Sequence, residues 1–566
     1  MIHMTRYDQM KIAYFSMEIG ISGHIPTYSG GLGVLAGDTL RSCADLQLPV
    51  IGVSLLYQKG YFHQRIDANG MQQEVDVRWD PTEHMEPLKE TVIVQIAGKE
   101  VHIRAWLYRN QGITGQINPI IFLDTDLPEN APEDRTLTHH LYGQDARYRL
   151  SQEIVLGVGG VRMLEALGCT NLCKYHMNEG HSALLTLELA RRFRENKDVK
   201  QHVRDICVFT THTPVPAGHD QFPRELAEEL LGDFILPEIR EEVYFNNTLN
   251  MTHIALLLSE YVNGVAKKHG EVSRDMFPGY HIDSITNGVH AGFWTAPAFF
   301  ELYDHYVPSW KNDPLSLRQV LGLKQRRIWD AHMETKRALL HEINVRYKTG
   351  LNEKIFTLGF ARRAATYKRG HMLFSDIERL KRIAASSKGG IQIIYAGKAH
   401  PADQAGKEVI KEIITSMRSL EGDITAVYLE NYDIETARLL TAGVDVWLNT
   451  PERPFEASGT SGMKAALNGV PHFSVLDGWW IEGHIENVTG WSIGGLSHNE
   501  TDADRIQELD DLYGKLEYII LPTFYQDREK WIDIMRHTIA LNGAYFNTHR
   551  MIEQYVLNAY FKDYTD

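Results

Sequence analysis

The sequence predicts an α/β protein built from two doubly wound domains, and three observations support this fold class. Short β-rich runs alternate with longer helical patterns, which is typical of a mostly parallel sheet with crossover helices. The alternation restarts after residues 285–288, so it occurs twice along the chain. The length of 566 residues is too great for one ordinary core and suits two or three large domains.

In the first half of the chain, the β-rich runs predict strands at 12–17, 50–57, 120–124 and 206–211. The helical patterns between them predict helices over 145–167 and 181–195. Residues 90–108 predict a hairpin that turns near Gly98, which we interpret as an excursion from the main sheet.

In the second half, apolar runs predict strands at 355–361, 391–396, 426–429, 444–448 and 473–476. We place the domain boundary near Asp283, which gives domains over 1–283 and 284–566, and we interpret a last helix at about 551–561 as crossing back to the first domain. Loops at the carboxyl ends of strands bind ligands in open α/β sheets. Almost every unusual motif of this chain falls at such a loop.

Composition excludes several classes of protein. Hydrophobic residues make up 43% and charged residues 23%, and no apolar run reaches the roughly 20 residues of a membrane helix. Residues 1–10 lack the apolar core of a signal peptide. The four cysteines favour a reducing compartment, so we expect a cytoplasmic protein. A net charge of −15 opposes nonspecific binding to nucleic acid or to an anionic membrane.

The segment 456–464, Glu-Ala-Ser-Gly-Thr-Ser-Gly-Met-Lys, is the richest motif. Five small residues precede a predicted short helix over 462–467, which Asn468 and Gly469 would cap. A helix entry of this kind leaves backbone N–H groups available to an anion. Lys464 would lie close to that anion, as a pyridoxal phosphate Schiff base requires, although an isolated lysine in such a place is usually a solvated cation.

A basic cluster, Arg362-Arg363-Ala-Ala-Thr-Tyr367-Lys368-Arg369, directly follows the predicted strand 355–361. Four cations at a carboxyl end, in an acidic protein, favour a site for a phosphate dianion over an exposed basic loop.

Three further segments carry weaker signals. Ser29-Gly30-Gly31-Leu32-Gly33 is a glycine-rich turn that could approach an anion closely, but it is no dinucleotide fingerprint. Cys169 and Cys173 lie near His176 and His181, yet a Cys-x3-Cys spacing seldom makes a zinc site, and we expect no metal. The segment 211–213, Thr-His-Thr, follows a strand and could equally be a turn with a satisfied histidine.

Together these segments resemble, in order along most of the chain, the glycogen, starch and maltodextrin phosphorylase family of α-glucan phosphorylases. The resemblance also includes Tyr14 to Glu18 and the Asn-Glu-Gly-His of 178–181. Residues 286–294 are similar to the strand that opens the family's second domain, and residues 430–432 complete the set. It implies a glycosyltransferase architecture of the GT-B type, in which two Rossmann-like domains face each other across a cleft, and it implies a homodimer.

The resemblance assigns a role to each matching residue. Lys464 would carry pyridoxal 5′-phosphate, with its phosphate and ring contacted by Arg362, Thr460, Ser461, Gly31, Trp294 and Tyr432. Orthophosphate would bind Arg363, Lys368 and the backbone of Gly30. The glucosyl unit and the glucan acceptor would contact Glu456, Ser458, Gly459, Tyr367, Asn287, His212, Glu18 and His181.

The implied reaction is the reversible, retaining phosphorolysis of an α-1,4-glucan to α-D-glucose 1-phosphate. The cofactor phosphate would relay a proton to orthophosphate, which protonates the departing oxygen. Two adjacent phosphates repel, which explains why cations cluster in the motif. The backbone carbonyl of His212 would stabilise the oxocarbenium-like sugar, so the His212 ring need not act as a base. Catalysis would thus depend on Lys464, Arg363, Lys368 and His212.

The sequence departs from the large family members in places. It is about a third shorter, and its first motif begins at Tyr14, so we expect no N-terminal arm and no control by phosphorylation. Ser461-Gly462 stands where they have Gly-Asn, and Arg362 where they have lysine. Glu179-Gly180 replaces an Asp-Thr pair, which affects the acceptor contacts.

Two other functions compete with this interpretation. A nucleotide-sugar glycosyltransferase such as a glycogen synthase resembles the chain around Glu456, but it commonly has a second glutamate where this chain has Lys464, and a lysine cannot accept hydrogen bonds from ribose. A non-catalytic glucan-binding protein would first lose the cofactor lysine and the phosphate cations. Lys464, Arg363 and Lys368 are all present.

Overall fold

The computed structural model describes residues 7–142, 145–495 and 502–561. Residues 1–6 and 562–566 lie outside this range. They include the beginning of the stretch predicted to lack a signal peptide, the start of the first predicted domain and the end of the second. In chain order, the strands of the described residues are β1 (Ile12–Ser16), β2 (Val50–Leu55), β3 (His63–Ile66), β4 (Gln72–Val75), β5 (Glu86–Ile96), β6 (Lys99–Gln111), β7 (Ile117–Asp124), β8 (Lys174–Asn178), β9 (Cys207–Thr210), β10 (Gln221–Pro223), β11 (Tyr244–Phe245), β12 (Thr248–Asn250), β13 (Tyr261–Gly264), β14 (Asp283–Ser284), β15 (Phe356–Ala361), β16 (Ile391–Ala396), β17 (Thr425–Leu429), β18 (Val446–Asn449), β19 (His472–Val475) and β20 (Gly490–Ile493).

The α-helices fall into two groups along the chain. Those before residue 287, together with the last one, are Gly31–Asp45, Pro132–Arg135, Ala146–Ile154, Gly160–Ala166, Leu184–Arg192, Val199–Ile206, Arg224–Leu231, Pro237–Val243, Met251–Leu257, Lys267–Met276 and Thr548–Tyr555. The others are Ala291–Trp294, Pro297–Tyr306, Gln325–Tyr347, Ile377–Ser386, Gln404–Arg418, Ile434–Gly443, Ser461–Leu467, Trp480–Gly483, Asp502–Lys515, Leu521–Gln526 and Arg528–His537. None of these described helices has the length and apolar character that a membrane crossing requires.

The chain divides into two compact units. The first contains the described residues up to Phe62, Asp76–Thr286 and the described residues from Met551 onward. The second contains His63–Val75 and Asn287–Arg550. The hairpin of β3 and β4 therefore belongs to the second unit although it lies early in the sequence.

The first unit is built on a nine-stranded sheet of order β14-β13-β9-β8-β1-β2-β7-β6-β5. The strands from β14 to β7 are parallel, and β1 and β2 are buried at every position, as expected for strands covered on both faces. The predicted hairpin near Gly98 exists, but its interpretation as an excursion is wrong. Its strand β6 pairs with β7 from Arg104↔Asp124 to Gln111↔Ile117, so the hairpin extends the main sheet as an antiparallel edge.

The second unit contains a six-stranded, fully parallel sheet of order β17-β16-β15-β18-β19-β20. Every position of β15, β16, β18 and β19 is buried, which explains why the sequence shows these strands as continuous apolar runs. The chain order reverses beside β15, where β15 lies between β16 and β18. The loops that follow β15, β18 and β19 therefore leave the same edge of the sheet, next to a switch point of the kind where such sheets bind ligands.

Two local predictions need correction. Residues 286–290 form no strand, and the chain instead enters the helix Ala291–Trp294, whose first turn is capped by His290 because its Nδ1 accepts a hydrogen bond from Phe293 N at 3.0 Å. The predicted glycine turn is the start of a helix, since Gly31–Asp45 already includes Gly31 and Gly33.

The last helix packs on the sheet of the first unit. Thr548–Tyr555 continues as a π-helical turn, Val556–Tyr560. The Tyr560 hydroxyl lies 2.6 Å from Nδ1 of His176 on β8, and the Tyr555 hydroxyl lies 3.0 Å from Oγ1 of Thr210 on β9. These buried hydrogen bonds explain why a segment so late in the sequence belongs to this unit.

Candidate active site

The basic segment after β15 surrounds a buried carboxylate in the second unit. Arg362 donates to the side chains of Glu456 and of Asn449, and Lys368 Nζ lies 3.1 Å from both carboxylate oxygens of Glu456. Glu456 is only 6% exposed. The structure thus joins two predicted phosphate-binding cations to the predicted sugar-binding glutamate, at the carboxyl ends of β15 and β18.

The Glu456 carboxyl is ionised in this cluster, and the cluster carries more positive than negative charge. Burial would raise the pKa of the Glu456 carboxyl, but Arg362 and Lys368 outweigh it and hold that pKa at about 2. Two cations therefore face one anion. A fourth member, Asp477, accepts hydrogen bonds from Glu456 N and Gly478 N, each at 2.9 Å. Burial, with a smaller contribution from Glu456, raises the pKa of Asp477 to about 7.

The other two arginines of the basic segment differ from each other. Arg369 donates to the carbonyls of Thr450 and Pro451 and pairs with the buried Glu508 at 2.8 Å, so it holds the loop in place. Arg363 is exposed, and within the described residues no hydrogen bond or ion pair engages its guanidinium. Arg363 is therefore the cation of this segment that remains available to a ligand.

Lys464 lies in the helix Ser461–Leu467 and is buried, with 6% of its surface exposed. Its Nζ lies 3.8 Å from the centre of the Trp294 ring. A buried amine on an aromatic face is held by a cation–π contact when charged.

Asn468 and Trp447 attach this helix to its surroundings. Asn468 caps the helix, accepts from Ala296 N at 2.7 Å and donates to the Trp294 carbonyl at 2.9 Å, which fixes Trp294 relative to Lys464. Trp447 Nε1 donates to Ser461 Oγ at 3.1 Å. Asn468, part of the predicted Asn-Gly cap, thus also orients Trp294.

Two predicted sugar-binding residues of the second unit have polar atoms without a hydrogen-bond partner among the described residues. Ser458 Oγ and Asn287 Oδ1 are buried and have no hydrogen-bond partner among the described residues. Gly459 adopts a φ of +85°, which a side chain would disfavour, and the partly buried Thr460 makes no capping hydrogen bond from its side chain. Because buried polar atoms are normally paired, Ser458 and Asn287 indicate a place for a polar ligand.

The β3–β4 hairpin orders the loop that contains Tyr432. Gln64 N donates to Asn431 Oδ1 at 3.1 Å, and Asn431 N donates back to Gln64 Oε1 at 2.9 Å. The next residue, Tyr432, packs against the core cluster that includes Ala465, one position from Lys464. Tyr367 lies under Lys368, whose Nζ is 4.5 Å from its ring centre.

In the first unit, Glu18 binds the glycine segment. Its Oε2 accepts from the backbone N of Ser29 at 2.5 Å and of Gly30 at 3.2 Å, while Oε1 accepts from the Tyr142 hydroxyl at 2.6 Å. A Cβ on Gly33 would lie 2.7 Å from Glu18 Oε2, whereas one on Gly31 would meet nothing within 4 Å. Close packing therefore requires glycine at 33, and the Gly31 backbone is left accessible within this unit.

His212 and His181, both in the first unit, are held neutral. His212 Nε2 lies 2.6 Å from Asn178 Oδ1, and burial lowers the pKa of His212 to about 3. His181 Nε2 lies 3.5 Å from an oxygen of Asp220, which is itself bound by Arg149. Burial, and then the charge of Arg149, lower the pKa of His181 to about 3. A neutral His212 agrees with a role for its backbone rather than for its ring.

Other features lie outside these clusters. A cavity of about 670 Å³ in the second unit is lined by residues that include Ile66, Tyr347, Met417 and Tyr428, and none of the predicted site residues is part of its lining. The Cys173 thiol donates to the Lys11 carbonyl.

Sequence reasoning missed Asn449, Asp477, Glu508 and Gln64. Asn449 and Asp477 stand at the carboxyl ends of β18 and β19, a position that could have drawn attention to them. Glu508 and Gln64 have no local signal, because each contacts the site from a distant part of the sequence.

Comparisons with known proteins agree with this chemistry. A family model described as carbohydrate phosphorylase matches residues 27–110 and 238–490, together more than half of the chain. Maltodextrin phosphorylase of Thermococcus litoralis is 38% identical over 99% of this chain and 72% of its own length. Glycogen phosphorylases of Mycobacterium tuberculosis and Aquifex aeolicus are 35% and 34% identical, each over 97% of this chain, and the matches cover 70% and 86% of their lengths. The chain therefore belongs to the carbohydrate phosphorylase family.

Proposed function

We propose that this protein is an α-glucan phosphorylase, which transfers a glucosyl unit from the non-reducing end of an α-1,4-glucan or maltodextrin to orthophosphate. The product is α-D-glucose 1-phosphate, and the reaction is reversible. The observation that carries the proposal is the buried Lys464 amine in the same unit as the Arg362–Lys368–Glu456 cluster. The names of the similar proteins, maltodextrin and glycogen phosphorylase, support the same class of reaction.

Pyridoxal phosphate is the cofactor that these residues fit. Lys464 would tether it, Trp294 and Tyr432 would contact its ring, and Arg362, Thr460, Ser461 and Gly31 would bind its phosphate. The unpaired, buried Ser458 Oγ and Asn287 Oδ1 support a polar ligand in this region. When bound, the cofactor supplies a phosphate that can exchange a proton with orthophosphate.

The cations would bind orthophosphate, and the carboxylate and the neutral polar residues would bind the sugar. Arg363, which has no partner among the described residues, and Lys368 would bind orthophosphate, with help from the backbone of Gly30. The Glu456 carboxylate, ionised because its pKa is about 2, would accept hydrogen bonds from sugar hydroxyls. Ser458, Gly459, Tyr367 and Asn287 would complete the sugar contacts.

His212 would act through its backbone. Its neutral ring is bound to Asn178, so its carbonyl oxygen is the group that can stabilise positive charge developing on the sugar. Stabilisation of an oxocarbenium-like sugar on one face accounts for retention of configuration. Glu18 and His181 would contact the acceptor glucan.

The proposal also covers the domain architecture, the cellular compartment and the oligomeric state. The two units would be the Rossmann-like domains of a GT-B glycosyltransferase, with the glucan bound mainly by the first and the cofactor and phosphate by the second, across a cleft. We assign the enzyme to the cytoplasm and to a homodimeric state, which light scattering of the purified protein would test.

The test uses Lys464→Ala and a matched control, Lys388→Ala, at an exposed position of the same unit. Wild type and K388A should form glucose 1-phosphate from maltodextrin and orthophosphate, and should show the near-ultraviolet absorbance of bound pyridoxal phosphate. K464A should lack both, because the amine that holds the cofactor is gone. Full activity of K464A without added cofactor or amine would contradict the proposal.

A further inference from the structure

Glu179 has a backbone conformation that a residue with a side chain rarely adopts. Its φ of 74° and ψ of 166° lie in a region used almost only by glycine. The residue is 5% exposed and directly follows β8 in the first unit. Such a conformation persists only where the surroundings enforce it, and strained residues of this kind concentrate at functional sites.

The surroundings that enforce it are hydrogen bonds to the loop after β9. Glu179 Oε2 accepts from His212 N at 2.7 Å and from Thr213 Oγ1 at 3.0 Å. Its Oε1 accepts from Gly180 N at 3.0 Å, and its own backbone N donates to the Thr210 carbonyl at 2.9 Å. The carboxylate therefore connects the carboxyl ends of two adjacent parallel strands, β8 and β9.

These contacts constrain His212 at two points. The backbone N is held by Glu179, and the ring is held by Asn178, the residue before Glu179. Because the same carboxylate also accepts from Thr213 Oγ1, the peptide unit that contains the His212 carbonyl is anchored to Glu179 on both sides. A glycine at 179 would remove the backbone strain but would leave His212 N and Thr213 Oγ1 without their acceptor.

We propose that Glu179 is a positioning residue, whose carboxylate holds the His212 backbone so that its carbonyl oxygen faces the sugar during glucosyl transfer. This inference rests on the proposed function. It assigns a role to the buried carboxylate of Glu179 and explains why the chain keeps a side chain at a position with a glycine-like backbone.

The experiment compares Glu179→Ala, Glu179→Gly and Glu179→Gln with the control Glu188→Ala. Glu188 is the same residue type at the same 5% exposure, and its carboxylate pairs with Arg162 rather than with the loop after β9. We measure kcat and KM for phosphorolysis, the melting temperature, and hydrogen exchange of the peptide containing His212.

E179A and E179G should lower kcat by about 100-fold, as the loss of one stabilising group in an oxyanion-hole type of site does, with each KM changed less than about threefold. E179G should melt at or above the temperature of E179A because glycine tolerates the backbone, yet it should be as slow. E179Q, which keeps one acceptor oxygen, should show a smaller decrease in kcat than E179A. Exchange of the His212 amide should increase in E179A and E179G and stay unchanged in E188A.

Equal losses of kcat and melting temperature in E179A and E188A, or a wild-type kcat in E179A, would overturn the positioning role. If E179A does not fold, E179G decides, because glycine tolerates the backbone conformation and lacks the acceptor, and unaltered kcat and exchange in E179G would also overturn the positioning role. A wild-type protein that forms no glucose 1-phosphate would overturn the proposed function and this inference together. Activity in the wild type with no effect at Glu179 would remove only the inference.

Discussion

A buried ionic cluster lies at each end of strand β18, and the two clusters differ in whether their positive charge is fully paired. At the amino end, Asp445 accepts from Lys336 Nζ at 2.6 Å, His332 Nε2 at 2.8 Å and Thr357 N at 2.7 Å, and the three side chains are at most 1% exposed. At the carboxyl end, Asn449 leads to the cluster of Arg362, Lys368 and Glu456, which is 6 to 12% exposed.

The two clusters differ in how their charges are balanced. At the amino end, the Lys336 charge is balanced by Asp445, and Lys336 also donates to the Ile355 carbonyl at 2.7 Å. At the carboxyl end, two cations share one carboxylate, and the exposed Arg363, next to Arg362 in the sequence, has no partner among the described residues. We therefore expect an anionic ligand to bind where accessible positive charge is in surplus, rather than wherever charge is buried.

The largest effect is expected at the closed cluster. Asp445→Ala leaves the Lys336 charge buried without its partner, so the free energy of unfolding should fall by about 3–5 kcal/mol. Urea denaturation measures this. At a temperature where the variant is folded, its KM for orthophosphate should equal that of wild type.

A matched double variant sharpens this result. Lys336→Met combined with Asp445→Leu removes both charges and should recover part of the lost stability, because no buried charge is left uncompensated. His332 Nε2 and Thr357 N still lose their acceptor, so the recovery should be incomplete. A large change in the KM for orthophosphate in D445A would mean that the amino end also serves the ligand, and it would break the comparison.

The next effect is expected at Glu456. Glu456→Gln keeps the shape of the side chain but removes the charge that would accept sugar hydroxyls, a contact worth about 1.5–3 kcal/mol. The kcat/KM for maltodextrin should fall by about 10- to 100-fold. Since the surplus of positive charge increases, the KM for orthophosphate should not rise. Steady-state kinetics with each substrate varied in turn gives both values, and a rise confined to phosphate would contradict the assignment of Glu456 to the sugar.

The pH dependence of stability should report Asp477. Its pKa is raised from 3.8 to about 7, so the folded state keeps a proton that the unfolded chain has lost between these values. The free energy of unfolding should therefore fall as the pH rises through this window, with a slope of at most about 1.4 kcal/mol per pH unit. Below the window this contribution is fully present.

Asp477→Asn cannot titrate, so the difference in unfolding free energy between wild type and variant should change with pH across the same window. Urea midpoints measured from pH 4 to pH 8 test this, because the other carboxyl groups cancel in the difference. Parallel curves for the two proteins would contradict the raised pKa.

The parts of the fold that could be predicted are those with a local cause. The buried strands β15 and β16 appear as apolar runs because both faces are covered, and Asn468 with Gly469 ends its helix as the sequence suggests. The edge hairpin was misplaced because its turn at Gly98 identifies a hairpin without identifying the sheet to which it pairs.

The candidate site was predictable as a set of segments but not as a set of contacts. Arg362 and Glu456 are 94 residues apart, and nothing near either one indicates that they pair. The same holds for Gln64 and Asn431, which are 367 residues apart. The strain at Glu179 is also invisible in sequence, because it results from acceptors and donors that only the folded chain brings together.

The measurement that tests the surplus-charge account most directly is the rate of glucose 1-phosphate formation against orthophosphate concentration for wild type, Arg363→Ala and the exposed control Arg382→Ala of the same unit. The account predicts that R363A raises the KM for orthophosphate about tenfold, through the loss of a charge-assisted contact of about 1.4 kcal/mol, and leaves the KM for maltodextrin within about twofold, whereas R382A behaves as wild type. Equal changes for the two substrates in R363A, or the same change in R382A, would contradict it.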